Sequence, residues 1–175
     1  MTTAIGFYLV IALTGIERLA ELIVGKRNLQ WSLSKGGVEF GQGHWPWMVA
    51  LHTGLLAACV VEVAWFEPRF QPLLGGAMLV VALGCQGLRW WCIHTLGHHW
   101  NPRVVVIPGA PRITGGPYRW FAHPNYVAVV TEGIALPMMH GAWRTALGFT
   151  LLNALLLRTR IQCENEALRT HLDTP

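Results

Sequence analysis

The chain is organised around one stretch, Gly115-Gly116-Pro117-Tyr118-Arg119-Trp120-Phe121-Ala122-His123-Pro124-Asn125-Tyr126, which lies between two strongly apolar regions. Its Gly-Gly-Pro turn lets the backbone approach a ligand closely. Pro124 fits the first position of a helix, because the N–H that proline lacks is not needed there. Such a helix would direct its free N–H groups and the positive end of its dipole at the loop, which suits a carboxylate. The stretch therefore predicts a binding site, and a plain connector between two helices is the alternative.

The composition of the surrounding chain is typical of a membrane protein. Of the 175 residues, 53% are hydrophobic and only 13% are charged, whereas about a quarter of the residues of a soluble protein are charged. The formal net charge of +4 comes without a dense basic run or a nucleic-acid motif, so we expect basic loops beside membrane spans and no nucleic-acid partner. The four cysteines lack the paired spacing of zinc sites, so we expect neither disulfides nor a structural metal.

Five apolar runs predict an all-α integral membrane helical bundle that forms a single domain over residues 1–175. The runs are 4–24, Trp45–Phe66, Pro72–Ile93, Pro124–Met138 and Trp143–Leu157. Because a spanning helix needs about 20 apolar residues, we expect the last two runs to form a short, tilted or partly spanning hairpin. Residues 1–93 would thus hold three spans, and residues 94–175 the catalytic loop, the hairpin and a C-terminal tail. Residues 26–44 are polar and glycine-rich and predict a loop, whereas the tail from Ile161 predicts a helix.

Charged residues within the first run are expected to lie near one end of the span, to turn inward, or to pair with one another. Glu17, Arg18 and Glu21 would each cost about 2.5–3.5 kcal/mol if they faced lipid at mid-membrane. Arg18 and Glu21 have the i, i+3 spacing that allows an ion pair on a helix, so we interpret these residues as polar links between helices. For His52 in the second run, the simplest interpretation is a hydrogen-bonded interior histidine.

The basic residues predict the orientation of the bundle. With five crossings, most of them fall on one side, which the positive-inside rule makes cytoplasmic. These residues are Lys26, Arg27, Lys35, Arg103, Arg112, Arg119, Arg158, Arg160 and Arg169, with Arg69 and Arg144 opposite. The N-terminus would then lie outside, and the loop and the C-terminal tail would face the cytosol, where a soluble cofactor can reach them.

Several separated segments carry a resemblance to a known family. They are Gly116-Pro117-Tyr118-Arg119, His123-Pro124-Asn125-Tyr126, and Arg160-Ile161 followed by Glu164 and Leu168. Together they resemble the isoprenylcysteine carboxyl methyltransferase family, and Glu17-Arg18 with Glu21-Leu22 resembles its small bacterial branch. The resemblance implies an enzyme of the bacterial inner membrane that uses S-adenosylmethionine to methylate a lipophilic acceptor. Ala122 and Asn165 depart from the family pattern, which usually has an arginine and a glutamate there.

S-adenosylmethionine carries a carboxylate, an ammonium, a sulfonium, a ribose and an adenine, so its site needs several kinds of partner. Arg119 and the helix N-terminus suit the carboxylate, Glu164 suits the ammonium or the ribose hydroxyls, and aromatic faces suit the adenine or the sulfonium. The resemblance implies the His-Pro helix and the acidic tail residue as cofactor contacts. The predicted cofactor-binding residues are Gly116, Pro117, Tyr118, Arg119, His123, Pro124, Asn125, Tyr126 and Glu164.

The acceptor oxygen decides which catalytic residues are needed. A carboxyl group is ionised at neutral pH and needs only an arginine to position it, and the resemblance makes Arg160 the first choice for that role. A phenol or enol hydroxyl needs a general base. The candidate bases are His98, His99 and Glu132.

The acceptor also needs a route from the bilayer. An apolar chain gains about 0.8 kcal/mol per CH₂ by staying out of water, so an isoprenylcysteine-like or alkyl-chain acceptor is expected to enter from the membrane lipids. The small residues Gly133, Gly141 and Gly148 make the 124–157 hairpin the predicted opening.

Two other functions fit parts of the sequence. His94, His98 and His99 form a His-x-x-x-His-His cluster that resembles one box of the membrane di-iron desaturases and hydroxylases, although such enzymes need several boxes. A non-catalytic membrane adaptor that keeps the fold is the second alternative. The Gly-Pro-Tyr-Arg and His-Pro-Asn-Tyr segments favour an enzyme over an adaptor.

Overall fold

A computed structural model describes residues 2–111 and 113–172, with the backbone alone described for residues 2 and 170–172. The described chain forms five helices and a two-stranded sheet. The helices are α1 (Thr2–Ser34), α2 (Trp45–Phe66), α3 (Pro72–Leu96), α4 (Pro124–Met138) and α5 (Trp143–Leu172). The strands β1 (Val38–Phe40) and β2 (Val104–Val106) pair antiparallel, with Val38 opposite Val106. The predicted helical architecture is confirmed, and the small sheet is an addition to the all-α prediction.

The helices alternate in direction, so their ends meet in two groups. At the end that carries β1 and β2, here called the sheet end, Asn28 of α1 donates to the carbonyls of Gly97 (3.1 Å) and Trp100 (2.7 Å). At the opposite end, Glu62 of α2 accepts a hydrogen bond from the backbone N–H of Thr145 (2.7 Å) at the start of α5. An acidic side chain there also complements the dipole of α5.

Most basic residues of the predicted cytoplasmic side lie at the sheet end. Lys35 follows α1, Arg103 precedes β2, and Arg158 lies in the second half of α5. Arg69 lies between α2 and α3, at the opposite end. Arg112 lies outside the described residues, and the orientation of the bundle in a membrane stays a prediction.

Two helical segments of the described chain have the length and composition of membrane spans, Gln42–Phe66 and Pro72–His99. The helix α1 carries charges in its middle, α4 has only 15 residues, and α5 becomes polar in its second half. The outward face of α1 nevertheless exposes large apolar residues, as a lipid-facing surface does. They are Ile5, Leu9, Leu13, Ile16, Leu19 and Ile23.

The predicted loop over residues 26–44 is wrong for nearly its first half, because α1 continues to Ser34. Two of its polar residues, Asn28 and Ser32, are buried, whereas Lys26 and Arg27 are exposed. Asn28 is buried against the turn after α3, and the carbonyl of Ser32 accepts the N–H of Gly37 (2.8 Å). The next residues pair as β1 with β2. Polar composition alone could not reveal these tertiary partners.

The predicted short hairpin is also corrected. The helix α4 ends at Met138 as expected, but α5 runs unbroken through Leu157 and contains the whole described tail, which confirms that the tail is helical. The second half of α5 is stable because it packs on the sheet, where Ala167 is buried with Val104 and Val106. The tail is therefore fixed at the sheet end instead of projecting from it.

The charged residues of α1 turn inward and pair, as predicted. Arg18 donates to Glu21 (2.9 Å) and to Gln86 of α3 (2.6 Å). Glu21 also accepts from Arg89 Nε of α3 (2.9 Å), and both of these side chains are buried. These contacts link α1 to α3 within the apolar region, where unpaired charges would be costly. His52 Nδ1 lies 2.8 Å from the carbonyl of Met48, a hydrogen-bonded histidine as interpreted.

The main apolar core lies between the helices, towards the end opposite the sheet. Its buried residues are Phe7, Ile11, Leu55, Cys59, Val63, Ala82, Ala135, Leu136, Met139, Ala142 and Phe149. Core packing holds that end of the bundle together, while the sheet end is held by hydrogen bonds and by the sheet. This division leaves room for a polar cavity at the sheet end.

Candidate active site

A cleft of about 210 Å³ opens at the sheet end of the bundle. Its walls come from the turn after α3, from β2, from the first turn of α4 and from the second half of α5. Seven of the predicted site residues line it: His99, Tyr118, His123, Asn125, Tyr126, Arg160 and Glu164. The chain thus brings together residues that are up to 65 positions apart in sequence.

The 115–126 loop reaches the cleft because its turn packs closely on α3. Gly116 has a left-handed backbone (φ +55°), and a Cβ atom added there would overlap the Thr95 hydroxyl. Pro117 is fully buried. The turn was predicted to approach a ligand closely, but its backbone approaches α3 instead. This packing places Tyr118 in the wall of the cleft.

Tyr118 stays a phenol at neutral pH. Burial raises the pKa of its hydroxyl, and a hydrogen bond with the nearby Cys92 thiol raises it further. Tyr118 therefore offers the cleft an aromatic face and no negative charge.

The centre of the cleft is a hydrogen-bonded cluster around Tyr126. The Tyr126 hydroxyl donates a short hydrogen bond to Glu164 and accepts one from Arg160 Nε (2.8 Å). His123 stacks on the Tyr126 ring with 5.1 Å between centroids, and its Nδ1 lies 3.6 Å from Glu164. Pro124, in the first turn of α4, is fully buried, and it anchors the backbone that carries His123 and Tyr126. The cluster joins α4 to α5 with acid, base and aromatic groups in one place.

A second cavity, of about 460 Å³, adjoins the cleft. It is a groove between α1 and α2, here called the α1–α2 groove. Apolar residues form most of its walls, and they include Ala12, Ile16, Leu19, Leu22, Val49 and Leu56. Trp100, Asn125, Tyr126 and Arg160 line both the groove and the cleft. A polar cavity and a largely apolar groove thus share one wall.

Comparison with known proteins identifies the family. A model of the isoprenylcysteine carboxyl methyltransferase (ICMT) family matches residues 77–170. The chain is also 33% identical over 165 residues to the uncharacterized protein YpbQ of Bacillus subtilis (strain 168), with 94% of this chain and 98% of that protein covered. The chain belongs to the isoprenylcysteine carboxyl methyltransferase family. Membership confirms the resemblance seen in the motifs and indicates a methyltransferase that works in a membrane. No solved structure matches the chain.

Some predicted residues of this family member lie away from the cleft. Arg119 is exposed and does not line it. Glu132 is buried 2.9 Å from Gln86 Nε2 and 3.5 Å from Arg18, within the ion-pair network. His98 stacks on Trp31 with centroids 5.2 Å apart. Of the three candidate bases, only His99 lines the cleft.

The histidines of the di-iron hypothesis do not come together as a metal site. His94 lies beside Trp90, with 6.1 Å between the ring centroids, and the His99 ring meets Trp31 edge-on. Among residues 2–111 and 113–172, no group of three His, Cys, Asp or Glu side chains is arranged to hold a metal ion. Nothing in this part of the chain favours the di-iron alternative.

Sequence reasoning missed three polar residues of the cleft, Ser32, Asn101 and Arg103. Arg103 pairs with Glu39 of β1 (2.8 Å) and lies over the Trp45 ring (5.0 Å). Asn101 accepts the N–H of Arg103 (3.0 Å). The polarity of Asn101 and Arg103 within a stretch of turn formers was the available signal, but Glu39 and Trp45, the partners of Arg103, are remote in sequence.

The opening predicted beside the 124–157 hairpin is closed at its centre. A Cβ atom added to Gly133 would overlap the ring of Phe149, so α4 and α5 pack directly against each other there. Gly148 faces a separate apolar groove of about 910 Å³ between α2 and α5. That groove shares no lining residue with the cleft.

Proposed function

We propose that the protein transfers the methyl group of S-adenosylmethionine to an acidic oxygen of a lipophilic acceptor. The oxygen belongs to a carboxyl group or to a phenol or enol hydroxyl, and the apolar part is an isoprenylcysteine-like or alkyl chain. One observation carries the proposal: the cleft and the α1–α2 groove share Asn125, Tyr126 and Arg160. A donor in the cleft and an acceptor in the groove would meet at these side chains, as alignment for a direct displacement requires.

The cleft residues fit the chemical groups of S-adenosylmethionine. Two buried amide atoms, Asn101 Nδ2 and Asn125 Oδ1, have no hydrogen-bond partner in the described chain, and a polar ligand would satisfy them. Glu164 suits the ammonium or the ribose hydroxyls, and the stacked rings of His123 and Tyr126 suit the adenine or the sulfonium. The first turn of α4 is the proposed site for the carboxylate.

The chemistry of the step needs little from the protein beyond alignment and charge. S-adenosylmethionine supplies an electrophilic methyl group, whose bond to sulfur breaks, leaving the electron pair on sulfur, as the bond to the acceptor oxygen forms. Arg160 is buried and held by Tyr126, and its positive charge favours an acceptor oxygen in its anionic form. A carboxylate arrives without its proton. A phenol or enol would pass its proton to His99, the candidate base in the cleft wall.

The acceptor chain is assigned to the α1–α2 groove rather than to the hairpin. The groove is open to lipid along α1, where Ile16 and Leu19 are exposed, and it ends at the shared wall. An alkyl or isoprenoid chain can lie there without crossing water, a gain of about 0.8 kcal/mol per CH₂.

The proposed location is a bacterial inner membrane, with five crossings, the N-terminus outside and the sheet end in the cytosol. The basic residues at the sheet end support this orientation through the positive-inside rule. S-adenosylmethionine would then enter the cleft from the cytosol, and the acceptor would enter the groove from the bilayer.

The test is transfer of a labelled methyl group. Protein in nanodiscs made from a bacterial lipid extract is incubated with S-adenosylmethionine that carries a trideuterated methyl group, and the lipids are analysed by mass spectrometry. We expect a labelled lipophilic product from the wild type and from Arg158→Lys, an exposed neighbour on α5. Arg160→Lys should lower the yield about tenfold or more, because lysine lacks the planar fork of arginine.

The product distinguishes the acceptor classes. Mild base hydrolyses a methyl ester, which reports a carboxyl acceptor, and leaves a methyl ether, which reports a phenol or enol. Wild-type protein that binds S-adenosylhomocysteine but labels no lipid in extracts from several bacteria would contradict the proposal and favour the adaptor alternative.

A further inference from the structure

Three consecutive residues of the 115–126 loop form an exposed tip that the proposed reaction does not use. Arg119 is exposed, and Trp120 and Phe121 are 64% and 51% exposed. The residues on either side, Tyr118 and Ala122, line the cleft, as does His123. The loop thus presents two faces, one to the cleft and one to the outside.

The position of Trp120 places the tip at the membrane. Its ring packs edge-on against Trp91 of α3 with 5.7 Å between centroids, and Trp91 is itself 46% exposed. Trp91 belongs to the apolar segment Pro72–His99, eight residues before its end. The α-helical part of this segment ends at Leu96, five residues after Trp91. At 1.5 Å per residue, Trp91 lies about 7–8 Å along the helix from that end, which is the inner limit of a headgroup layer of about 5–8 Å. The outward face at this depth is lipid, so Trp120 lies at the boundary between headgroups and acyl chains.

Arg119 must then lie close to the lipid phosphates. A guanidinium beside a tryptophan at this boundary extends towards the headgroups, because facing the acyl chains would cost several kcal/mol. Arg119 forms no ion pair within the described residues, so its charge is available to an anion. Arginine binds phosphate through its planar fork, and tryptophan is favoured at the same level of the bilayer.

We propose that Arg119, Trp120 and Phe121 form a binding site for the phosphate and upper acyl region of an anionic phospholipid. The site is built on α3 through the Trp91–Trp120 pair and on the loop that supplies Tyr118 and His123 to the cleft. Bound lipid therefore holds this loop in place. Its effect on cofactor affinity rests on the proposed function, whereas lipid binding itself does not.

The first experiment measures lipid binding directly. Protein is reconstituted in nanodiscs of phosphatidylcholine with phosphatidylglycerol, and the lipids that stay bound after transfer to mild detergent are counted by native mass spectrometry. We expect wild type and Lys35→Gln, an exposed basic residue after α1, to retain phosphatidylglycerol. Arg119→Gln and Trp120→Ala should each retain several-fold less. Soluble glycerol phosphate added in excess should not displace it, because the acyl chains contribute to binding.

Three outcomes would overturn the proposal. Equal retention in all four proteins would show that the tip does not bind the lipid, and displacement by glycerol phosphate would show a site for a free anion. Loss of a dimer in Trp120→Ala with unchanged lipid retention would assign the tip to a second copy of the chain. If Arg119→Gln loses lipid but S-adenosylhomocysteine affinity is unaltered, the lipid site stands and only its coupling to the cleft fails.

Discussion

Tyr126 shows how one residue organises the site. Its hydroxyl connects Glu164 to Arg160, and its ring stacks on His123. Hydrogen bonds to charged groups are worth about 1.5–3 kcal/mol each, so these side chains are held in position before any ligand binds. Such pre-organisation lowers the entropic cost of binding.

Glu164 provides the sharpest test at the residue scale. Glu164→Gln should weaken the binding of S-adenosylhomocysteine about ten- to a hundredfold, because one charge-assisted hydrogen bond is lost. Isothermal titration calorimetry on the purified protein measures this affinity. The exposed neighbour Asn165 provides the control, since Asn165→Ala should bind as wild type does. Wild-type affinity in Glu164→Gln would remove this carboxylate from the cofactor site.

At the scale of elements, the α1–α2 groove can be narrowed without touching the cleft. Gly15 lines the groove, and a Cβ atom added there would lie 3.6 Å from Leu56 of α2. Gly15→Leu should therefore depress methylation of long-chain acceptors more than of short-chain acceptors. A series of acceptors with one headgroup and increasing chain length, assayed in detergent micelles, measures the difference.

The groove between α2 and α5 supplies the matched control. Gly148→Leu adds the same side chain to a lipid-facing helix and leaves the α1–α2 groove open. Its effect should be equal at every chain length. A selective loss in Gly148→Leu, with none in Gly15→Leu, would return the acceptor route to the hairpin.

The packing of α4 on α5 gives a second prediction at this scale. Gly133→Ala should lower stability by about 1–3 kcal/mol, since the added methyl group overlaps Phe149 and the two helices must separate. Gly148→Ala meets no atom within 4 Å and should leave stability unchanged or slightly higher, because alanine favours helix. Thermal unfolding in detergent, followed by circular dichroism, compares the two. Equal stability of both variants would show that α4 and α5 do not pack as described.

At the scale of the molecule, α1 is held to the bundle by buried charges. Arg89 donates to Glu21 through Nε (2.9 Å), and both side chains are buried. Arg89→Met should cost about 3–5 kcal/mol, because Glu21 loses its main partner in an apolar setting. The double variant Arg89→Met with Glu21→Leu should recover most of that loss. Chemical denaturation in micelles measures the free energy of unfolding of both variants. A double variant no more stable than Arg89→Met would argue against the pairing of Arg89 with Glu21.

The alternation of helices predicts which positions share a side of the membrane. Lys35→Cys and Arg158→Cys lie at the sheet end and should react with an impermeant thiol reagent from one side, whereas Arg69→Cys should react from the other. The background replaces the partly exposed Cys163 by serine, and the other three cysteines are buried. Labelling of intact cells and of inverted vesicles distinguishes the sides. Labelling of positions 35 and 69 from one side would contradict five crossings.

Much of the site could be predicted from the local sequence, but the full set of residues that line the cleft could not. The loop, the helix beginning at Pro124 and the tail residues Arg160 and Glu164 were found because motifs fix local backbone and residue type. Arg119 belongs to the same motif but is exposed and does not line the cleft. Arg103 was missed because its partner Glu39 lies 64 positions away in sequence.

The sequence by itself predicted a membrane protein, the number of helices and the family, and it limited the α1 charges to positions near one end, inward or paired. These properties follow from hydrophobic runs, from the cost of charges in lipid and from short motifs, all of which act over a few residues. Only the tertiary structure decided that α1 continues to Ser34, that α5 absorbs the tail, and that a lipid-facing groove meets the cleft at Tyr126 and Arg160. Each of these depends on contacts between segments remote in sequence, which composition and periodicity do not encode.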